Sequence, residues 1–190
     1  ATGEVKEKRY SVGEPLIIIT LYQAILKSDR LEFVLQKGTE LGVSRFVPVA
    51  CKRSVPDATN DGWFEKHGQR WRKIIKEAAE QSGRGKVPVL DHVINFNQAC
   101  EDVTGVGLIP WEGERETSLK DALKTSQPLA EKTKCFSVFT GPEGGFTDEE
   151  IHCATSNGIV QVTLGKRILR AETAALATVA SIMYQFGELG

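Results

Sequence analysis

Short apolar runs alternate with stretches of helical spacing along this chain, and this alternation limits the possible folds more than any other feature. Strand-like runs cover residues 16–22, 45–50, 105–111, 135–139 and 158–164. Helical spacing lies between them, for example at Leu31, Val34 and Leu35 before a stop at Gly42. Because consecutive strands joined through a helix run in the same direction, the pattern predicts an α/β fold with a mostly parallel sheet and helices on both faces.

Local signals place the helix ends. Ser28 is a predicted N-cap for the first helix, and Gly83 is a predicted stop for the helix that contains Trp71. Residues 118–124 predict a short helix, followed by a polar loop up to the strand at 135. From about 173 to 186 the residues are apolar on nearly every side, which predicts a final helix that is buried all round.

Charge and length restrict the partners of the chain. Its 190 residues suit one ordinary domain, and a net charge of −1 from 24 basic and 25 acidic residues excludes a chain that is basic throughout. The densest positive cluster comprises Arg70, Arg72, Lys73, Lys76, Arg84 and Lys86. Two interpretations stay open: a solvated helix face, favoured by Glu77 and Glu80, or a surface that contacts phosphates.

The cysteines and histidines show no metal or disulfide pattern. Cys51, Cys100, Cys135 and Cys153 lie far apart without a CxxC pair, so we expect no metal site and a reducing compartment. Residues 1–15 carry both charge signs and no apolar core, so we expect no signal peptide there, and the longest apolar stretch near the C-terminus is too short to span a membrane. We therefore expect a soluble protein without a membrane partner, cytoplasmic or, in a eukaryote, chloroplast or mitochondrial.

A glycine-rich bend follows the strand at 135–139. Its residues 140–146 read TGPEGGF, and Thr147 with Glu150 forms a predicted capping box that starts a helix at Asp148. Such a bend lets the backbone approach a ligand, although a tight turn without any ligand explains it equally well. The bend lacks the GxxxxGK[ST] and GxGxxG patterns, and Glu143 disfavours a phosphate. A neutral or cationic ligand is the better expectation.

Three strand ends converge in the predicted sheet, at residues 109–112, 140–145 and 164–174, and we expect them to form one pocket. Five motifs of this chain together resemble the RsmE family of the SPOUT superfamily. They are FVLQKGTELGV (33–43), Arg53-Ser54, WRKIIKEAAEQSGR (71–84), TGPEGGF (140–146) and LGKRILRAETA (164–174). That family uses S-adenosyl-L-methionine to methylate N3 of a uridine in small-subunit ribosomal RNA. The resemblance covers about residues 16–190.

The resemblance implies more than the pattern alone does. It implies a trefoil-knotted SPOUT methyltransferase domain at 16–190 and a homodimer with its active site near the subunit interface. The family normally begins with a small RNA-binding β-barrel, so residues 1–15 are expected to be an N-terminal remnant or tail. Ala171 stands where many relatives carry threonine.

The resemblance also implies roles for single residues. Arg170 is the expected cation that stabilises the uracil anion, and Glu172 is expected to orient it or to take the proton, with a structural ion pair between the two as the alternative. The expected RNA contacts are Arg53, Arg72, Lys76 and Arg84. The expected cofactor-binding residues are Ile109, Pro110, Trp111, Thr140, Gly141, Glu143, Gly144, Gly145, Leu164, Gly165, Ile168, Leu169, Arg170, Thr173 and Ala174.

Two other functions stay open at this point. The first is a SPOUT methyltransferase for another RNA such as transfer RNA, which the 71–84 motif disfavours. The second is a non-catalytic RNA-binding or ribosome-assembly protein, which has no need of the 140–145 and 170–173 motifs. A nicotinamide dehydrogenase is disfavoured because GxGxxG is missing.

Overall fold

The computed structural model describes Glu4, Glu7 and residues 13–27, 29–54 and 61–189, without the side chains of Asp61 and Trp63. Within these ranges strands and helices alternate. In chain order they are β1 (Ile18–Ala24), α1 (Arg30–Glu40), β2 (Arg45–Ala50), α2 (Asp61–Gln81), β3 (Val89–Leu90), β4 (Ile94–Asn95), α3 (Phe96–Glu101), β5 (Val106–Pro110), α4 (Leu119–Thr133), β6 (Cys135–Thr140), α5 (Asp148–Ser156), β7 (Val160–Val162) and α6 (Ala171–Gln185).

The strands form one sheet in which every described pairing is parallel. Its order is β3-β2-β1-β6-β5-β7, and β4 pairs with β2 further along the same edge. β5 lies between β6 and β7, with Leu108 next to Val138 on one side and Val160 on the other. The carboxyl ends of these three strands therefore meet at one edge of the sheet, as the sequence predicts.

The two faces of the sheet carry separate cores. Ile19, Leu21 and Phe136 belong to a cluster that includes side chains of α1, α2, α4 and α6. Tyr22 and Phe139 face the other way, into a cluster with α3 and α5, and their rings stack with centroids 4.5 Å apart. Because alternate strand residues point to opposite faces, burial of both sets requires helices on both sides. The prediction of an α/β fold with helices on both faces is confirmed.

Local helix signals were largely right. Thr147 caps α5 in the predicted capping box with Glu150, and Phe146 and Ile151 are buried in the same cluster. The predicted stops at Gly42 and Gly83 have φ of 98° and 71°, the left-handed backbone that favours glycine. Ser28 lies outside the described residues.

The prediction of a short helix over 118–124 followed by a polar loop was wrong. Ser118 does cap α4, but the helix continues to Thr133 with Pro128 inside it. The residues after Lys124 are mostly polar, which is why a loop was expected there. The helix persists because Ala130 is fully buried in the core and Lys134, at φ 54°, ends the helix with its amide on the Ala130 carbonyl. The short elements β3, β4 and α3 had no predicted counterpart.

The final helix was predicted to be buried all round, and this is also wrong for the chain as described. Val179 and Ile182 on one face are fully buried, whereas Tyr184 on the other is 74 % exposed. Thr173 is exposed on that side as well, and Ala177 is half-buried. The described residues therefore leave one face of α6 uncovered.

The residues just before β1 are tied to the domain. Glu14 forms an ion pair with Arg84, whose side chain is only 3 % exposed, and it accepts a hydrogen bond from the Lys86 amide. Partial burial acts to raise the pKa of Glu14, but the hydrogen bonds from Arg84 and Lys86 outweigh it and the net shift is downward.

In the part of the chain that the structure describes, no helix has the length and hydrophobicity to cross a membrane.

Candidate functional site

A cavity of about 410 Å³ opens at the carboxyl edge of β5, β6 and β7. Its walls are the three loops that follow these strands, so the predicted convergence of strand ends is confirmed. The predicted cofactor residues that line it are Pro110, Trp111, Gly141, Glu143, Gly145, Leu164, Gly165, Ile168, Leu169, Arg170 and Ala174. Its volume falls within the range of about 300 to 1,000 Å³ that is usual for small-molecule sites.

The glycine-rich bend after β6 is a tight turn. The Gly145 amide donates to the Pro142 carbonyl at 2.9 Å, and Gly145 has a φ of 70°. Gly141 packs under the Phe146 ring, where a Cβ would lie only 3.1 Å from a ring carbon. Both glycines are therefore required by the shape of the turn, and the backbone of the bend forms one wall of the cavity.

Glu143 is held by the protein and does not point freely into the cavity. Its Oε1 accepts hydrogen bonds from the Lys27 amide at 3.0 Å and from the Arg30 guanidinium at 3.1 Å. The described contacts make Glu143 an acceptor for a backbone N–H group and a neighbouring guanidinium. They also bring Arg30 into the cavity wall.

Arg53 supports the bend from behind. Its NH1 donates to the Gly144 carbonyl at 2.8 Å and to the Phe146 carbonyl at 3.4 Å, and its side-chain carbons pack against Gly144. The neighbouring Lys52 amide donates to Glu150 at 2.8 Å. The loop after β2 thus fixes both the bend and the start of α5.

The loop after β5 is ordered by Glu114. Its carboxylate accepts the amides of Thr117 and Glu116 at 2.9 and 2.7 Å, and these backbone bonds lower the pKa of Glu114. Gly113 lies against the Trp111 indole, with no room for a Cβ. This loop therefore presents a fixed second wall to the cavity.

The third wall is joined to the second by hydrogen bonds at Thr163. The Thr163 amide donates to Thr117 at 2.8 Å, and the Leu119 amide donates to the Thr163 carbonyl at 3.1 Å. The Thr163 hydroxyl accepts the amide of Gly165, which has a φ of 107°. Beyond it, the amides of Ile168 and Leu169 donate to no described protein group. These N–H groups are available to a ligand in the cavity.

Arg170 and Glu172 do not form the ion pair that was the structural alternative. Arg170 lines the cavity and is exposed, and it precedes α6 without capping it through its side chain. Glu172 lies in the first turn of α6, and its Oε2 is buried with no hydrogen-bond partner among the described residues. A buried carboxylate oxygen without a hydrogen-bond donor is energetically costly. The Oε2 of Glu172 therefore calls for a donor that the described residues do not supply.

Four predicted cofactor residues lie outside the lining. Ile109 is fully buried in the core and Thr140 donates to Gln23 at 2.6 Å within the sheet. Gly144 faces Arg53, and Thr173 is exposed on α6. The first three lie directly beside lining residues and shape the wall from behind.

Two of the four thiols have a raised pKa. Burial, with a smaller contribution from Cys153, raises the pKa of Cys100 to about 12, and burial also raises the pKa of Cys51. A thiol with a raised pKa is a poor nucleophile at neutral pH. No group of three or more His, Cys, Asp or Glu side chains among the described residues is placed to hold a metal ion.

Comparison with known proteins identifies the family. The model of the RNA methyltransferase domain matches residues 13–183. A ribosomal RNA small subunit methyltransferase E from Bacillus subtilis is 38 % identical over 174 residues, which are 89 % of this chain and 66 % of the relative. The chain belongs to the RsmE family. It spans about two thirds of the length of that relative.

Solved structures agree with this assignment to the RsmE family. A methyltransferase E from Neisseria gonorrhoeae, bound to S-adenosyl methionine, is 36 % identical with a TM-score of 0.78 over 90 % of this chain and 68 % of that chain. A Legionella pneumophila protein in complex with the same cofactor is 30 % identical with a TM-score of 0.80, over 95 % and 70 % respectively.

The RNA contacts expected from the RsmE resemblance lie in varied surroundings. Arg72 is stacked over the Phe64 ring at 5.4 Å, and Lys76 pairs with Glu80 at 3.6 Å on the exposed face of α2. The structure argues against the predicted RNA contact of Arg84. Its side chain is buried against Glu14 and donates to the carbonyl oxygens of Thr39 and Val43. A buried, fully bonded guanidinium is not open to a phosphate.

Sequence reasoning left several cavity residues unassigned, namely Arg30, Glu112, Arg115, Pro142, Phe146, Thr163, Lys166, Arg167 and Ala171. Most of them lie within or beside the RsmE motifs, so adjacency was a usable signal. Arg30 carried no such signal. Its place in the wall depends on the contact with Glu143, which lies 113 residues away in sequence.

Proposed function

We propose that this chain is a methyltransferase that uses S-adenosyl-L-methionine to modify N3 of a uridine in small-subunit ribosomal RNA. The observation that carries the proposal is a cavity, built by the three RsmE motif loops, in which unbonded backbone amides lie beside the exposed cation Arg170. Family membership supplies the reaction class, and the chemistry of the cavity agrees with it.

The residues present fit the cofactor. Adenine needs in-plane hydrogen-bond partners with apolar neighbours, and the unbonded amides of Ile168 and Leu169 would supply donors in a cavity that Trp111 also lines. The glycines of the bend and Gly165 keep the backbone close to the cavity without blocking it. Glu143 is already bonded to Lys27 and Arg30, so its proposed role is to fix the bend.

When bound, the cofactor supplies an electrophilic methyl group on a sulfonium sulfur. Arg170 is the group we assign to the uracil: N3 becomes anionic as its proton leaves, and a guanidinium at a uracil carbonyl stabilises that charge. Holding the base in line with the methyl group lowers the activation barrier by roughly several further kcal/mol. The loop walls fixed by Glu114 and Thr163 perform this positioning.

Glu172 is the proposed acceptor or orienting carboxylate. Its buried Oε2 has no donor among the described residues, and a donor brought by the substrate or by a second protomer would satisfy it. Glu172 itself is not among the residues that line the cavity, so an arginine of a second protomer is the donor that we favour. This assignment explains why the position carries a carboxylate that the isolated chain leaves unpaired.

The active form that we propose is a homodimer. Tyr184 and Thr173 mark an uncovered face of α6, and α6 begins at the cavity. Burial of that face against a second copy would place the two cavities near the interface. We also infer the trefoil knot. The two ends of the segment after β5 bond to neighbouring residues at the end of β7: the Trp111 amide donates to the Val162 carbonyl and the Leu119 amide to the Thr163 carbonyl. Such contacts are expected of a loop that encloses a later segment.

The proposed function is tested by separating binding from transfer. Replacing Arg170→Ala is expected to abolish methyl transfer to ribosomal RNA while isothermal titration still detects cofactor binding, and Arg170→Lys should recover part of the transfer because it keeps the charge. Loss of cofactor binding in Arg170→Ala would refute this division of roles. Transfer by the wild type to transfer RNA alone would move the proposal to the alternative substrate.

A further inference from the structure

The cations of this chain differ sharply in whether a carboxylate neutralises them. On and beside α2, Arg70 pairs with Glu32 at 2.7 Å, Lys73 with Glu77 at 3.7 Å and Lys76 with Glu80 at 3.6 Å. At the cavity, Arg30 pairs with Glu143. The positive cluster that stood out in the sequence is therefore largely compensated within the fold.

Three cations on the loop after β7 are not compensated in this way. Lys166 and Arg167 are exposed, line the cavity, and have no ion-pair partner among the described residues. Arg170, three residues further on, shares these properties. The loop after β7 thus carries a run of positive charge along one side of the opening, which we call the basic lip (Lys166 and Arg167).

The adjoining loop after β5, which also borders the opening, has the reverse sign. The loop after β5 carries Glu112, Glu114 and Glu116 around the single cation Arg115. Glu112 and Arg115 line the cavity, and Glu114 is kept ionised by the amides that lower its pKa. An anionic polymer is repelled from this acidic lip and attracted to the basic lip.

The basic lip stands on a rigid base. Thr163 bonds to the adjoining loop through Thr117 and Leu119, and its hydroxyl bonds to both the amide and the carbonyl of Gly165 at 3.2 and 3.3 Å. Lys166 and Arg167 follow directly. Cations presented on a braced turn lose less conformational entropy on binding than cations on a free loop.

From these observations we propose that Lys166 and Arg167 bind backbone phosphates of the RNA strand next to the target nucleotide, so that RNA enters over the basic lip and not along α2. The inference rests on the proposed function. Phosphate contacts of this kind fix register and orientation and do not read sequence. The target base is then delivered to Arg170 from the same side of the cavity.

The test is the salt dependence of RNA binding. Fluorescence anisotropy with a labelled single-stranded ribosomal RNA fragment gives the slope of log K against log salt, which falls by about 0.7 for each lost phosphate contact. Lys166→Ala/Arg167→Ala should reduce the slope by about 1.4, so that the wild type loses about sevenfold more affinity than the variant between 50 and 200 mM salt. The matched control Arg70→Ala/Lys73→Ala removes the same charge from α2 and should keep the wild-type slope.

Thermal unfolding of each variant confirms that the fold is intact. An unchanged slope in the lip variant, or a larger drop in the α2 variant, would overturn the inference. Methyl transfer by the wild type, measured in parallel, separates the two claims: transfer with a lip-independent slope refutes the lip alone. A wild type that binds cofactor but neither binds nor methylates RNA refutes the proposed function and the lip together.

Discussion

Arg53 offers a direct comparison between a role in RNA binding and a role in building the cofactor cavity. The RsmE resemblance implies an RNA contact, whereas the structure shows the guanidinium donating to the Gly144 and Phe146 carbonyls. Arg53→Ala removes both bonds and leaves the bend without its support. We therefore expect the main effect on the cofactor.

The magnitude follows from those two bonds. A hydrogen bond from a charged group contributes about 1.5 to 3 kcal/mol when it is shielded from water, but Arg53 is exposed and its bond to Phe146 is long, so about 1 kcal/mol is the appropriate figure. That corresponds to an about fivefold larger dissociation constant for S-adenosyl-L-methionine. Isothermal titration calorimetry measures it.

The control for Arg53→Ala is its neighbour. Lys52→Ala also removes one positive charge, but the Lys52 side chain makes only an exposed pair with Glu149 at 3.4 Å, and its amide bond to Glu150 is kept. We expect cofactor affinity unchanged within twofold. An unchanged cofactor affinity in Arg53→Ala, together with a salt slope for RNA binding reduced by about 0.7, would refute this reasoning and restore the RNA contact.

Three further predictions follow from single contacts. Gly165→Ala meets no neighbouring atom, but it places a side chain at a φ of 107°, which costs about 1 to 3 kcal/mol of backbone strain. If the turn shifts to relieve that strain, titration calorimetry should show cofactor binding weakened by about 5- to 150-fold, whereas the control Gly62→Ala within α2 should bind like the wild type. Equal affinities of the two variants would contradict the role of the turn. Glu14→Gln leaves the buried Arg84 uncompensated and should lower the unfolding free energy by about 3 to 5 kcal/mol in urea at pH 7. Because the pKa of Glu14 is lowered in the fold, its stabilisation is complete above its ordinary value of 4.5 and is lost as the pH falls through the folded value, so the difference from wild type should shrink in acid; a constant difference would argue against the ion pair. Tyr184→Glu should raise the dimer dissociation constant at least about tenfold in sedimentation experiments, and Tyr184→Phe should not; a Tyr184→Glu variant that dimerises like the wild type would remove this face from the interface.

The sequence predicted the features that depend on local spacing. Strand β2 and the start of α5 were predicted at the residues where they lie, because β-branched runs and the capping box of Thr147 and Glu150 are short-range signals. The meeting of three loops at one edge also followed, since parallel strands bring their carboxyl ends together.

Features that depend on distant contacts were not predictable in this way. Arg53 meets Gly144 across 91 residues and Arg84 meets Glu14 across 70, and neither pair has a local signature that distinguishes it from a surface cation. The polar residues after Lys124 suggested a loop, but Ala130 among them is fully buried and the helix continues to Thr133. The uncovered face of α6 reads in sequence as core, because composition does not reveal whether the chain itself or a partner covers an apolar face.

The central claim is that this cavity transfers a methyl group to N3 of a uridine in small-subunit ribosomal RNA. The most direct measurement is nucleoside mass spectrometry of that RNA after incubation with the wild-type protein and cofactor carrying a deuterated methyl group. The account predicts deuterated 3-methyluridine, lost in Arg170→Ala. A deuterated methyl group on another base or another uridine atom, or no labelled product from a protein that binds the cofactor, would contradict it.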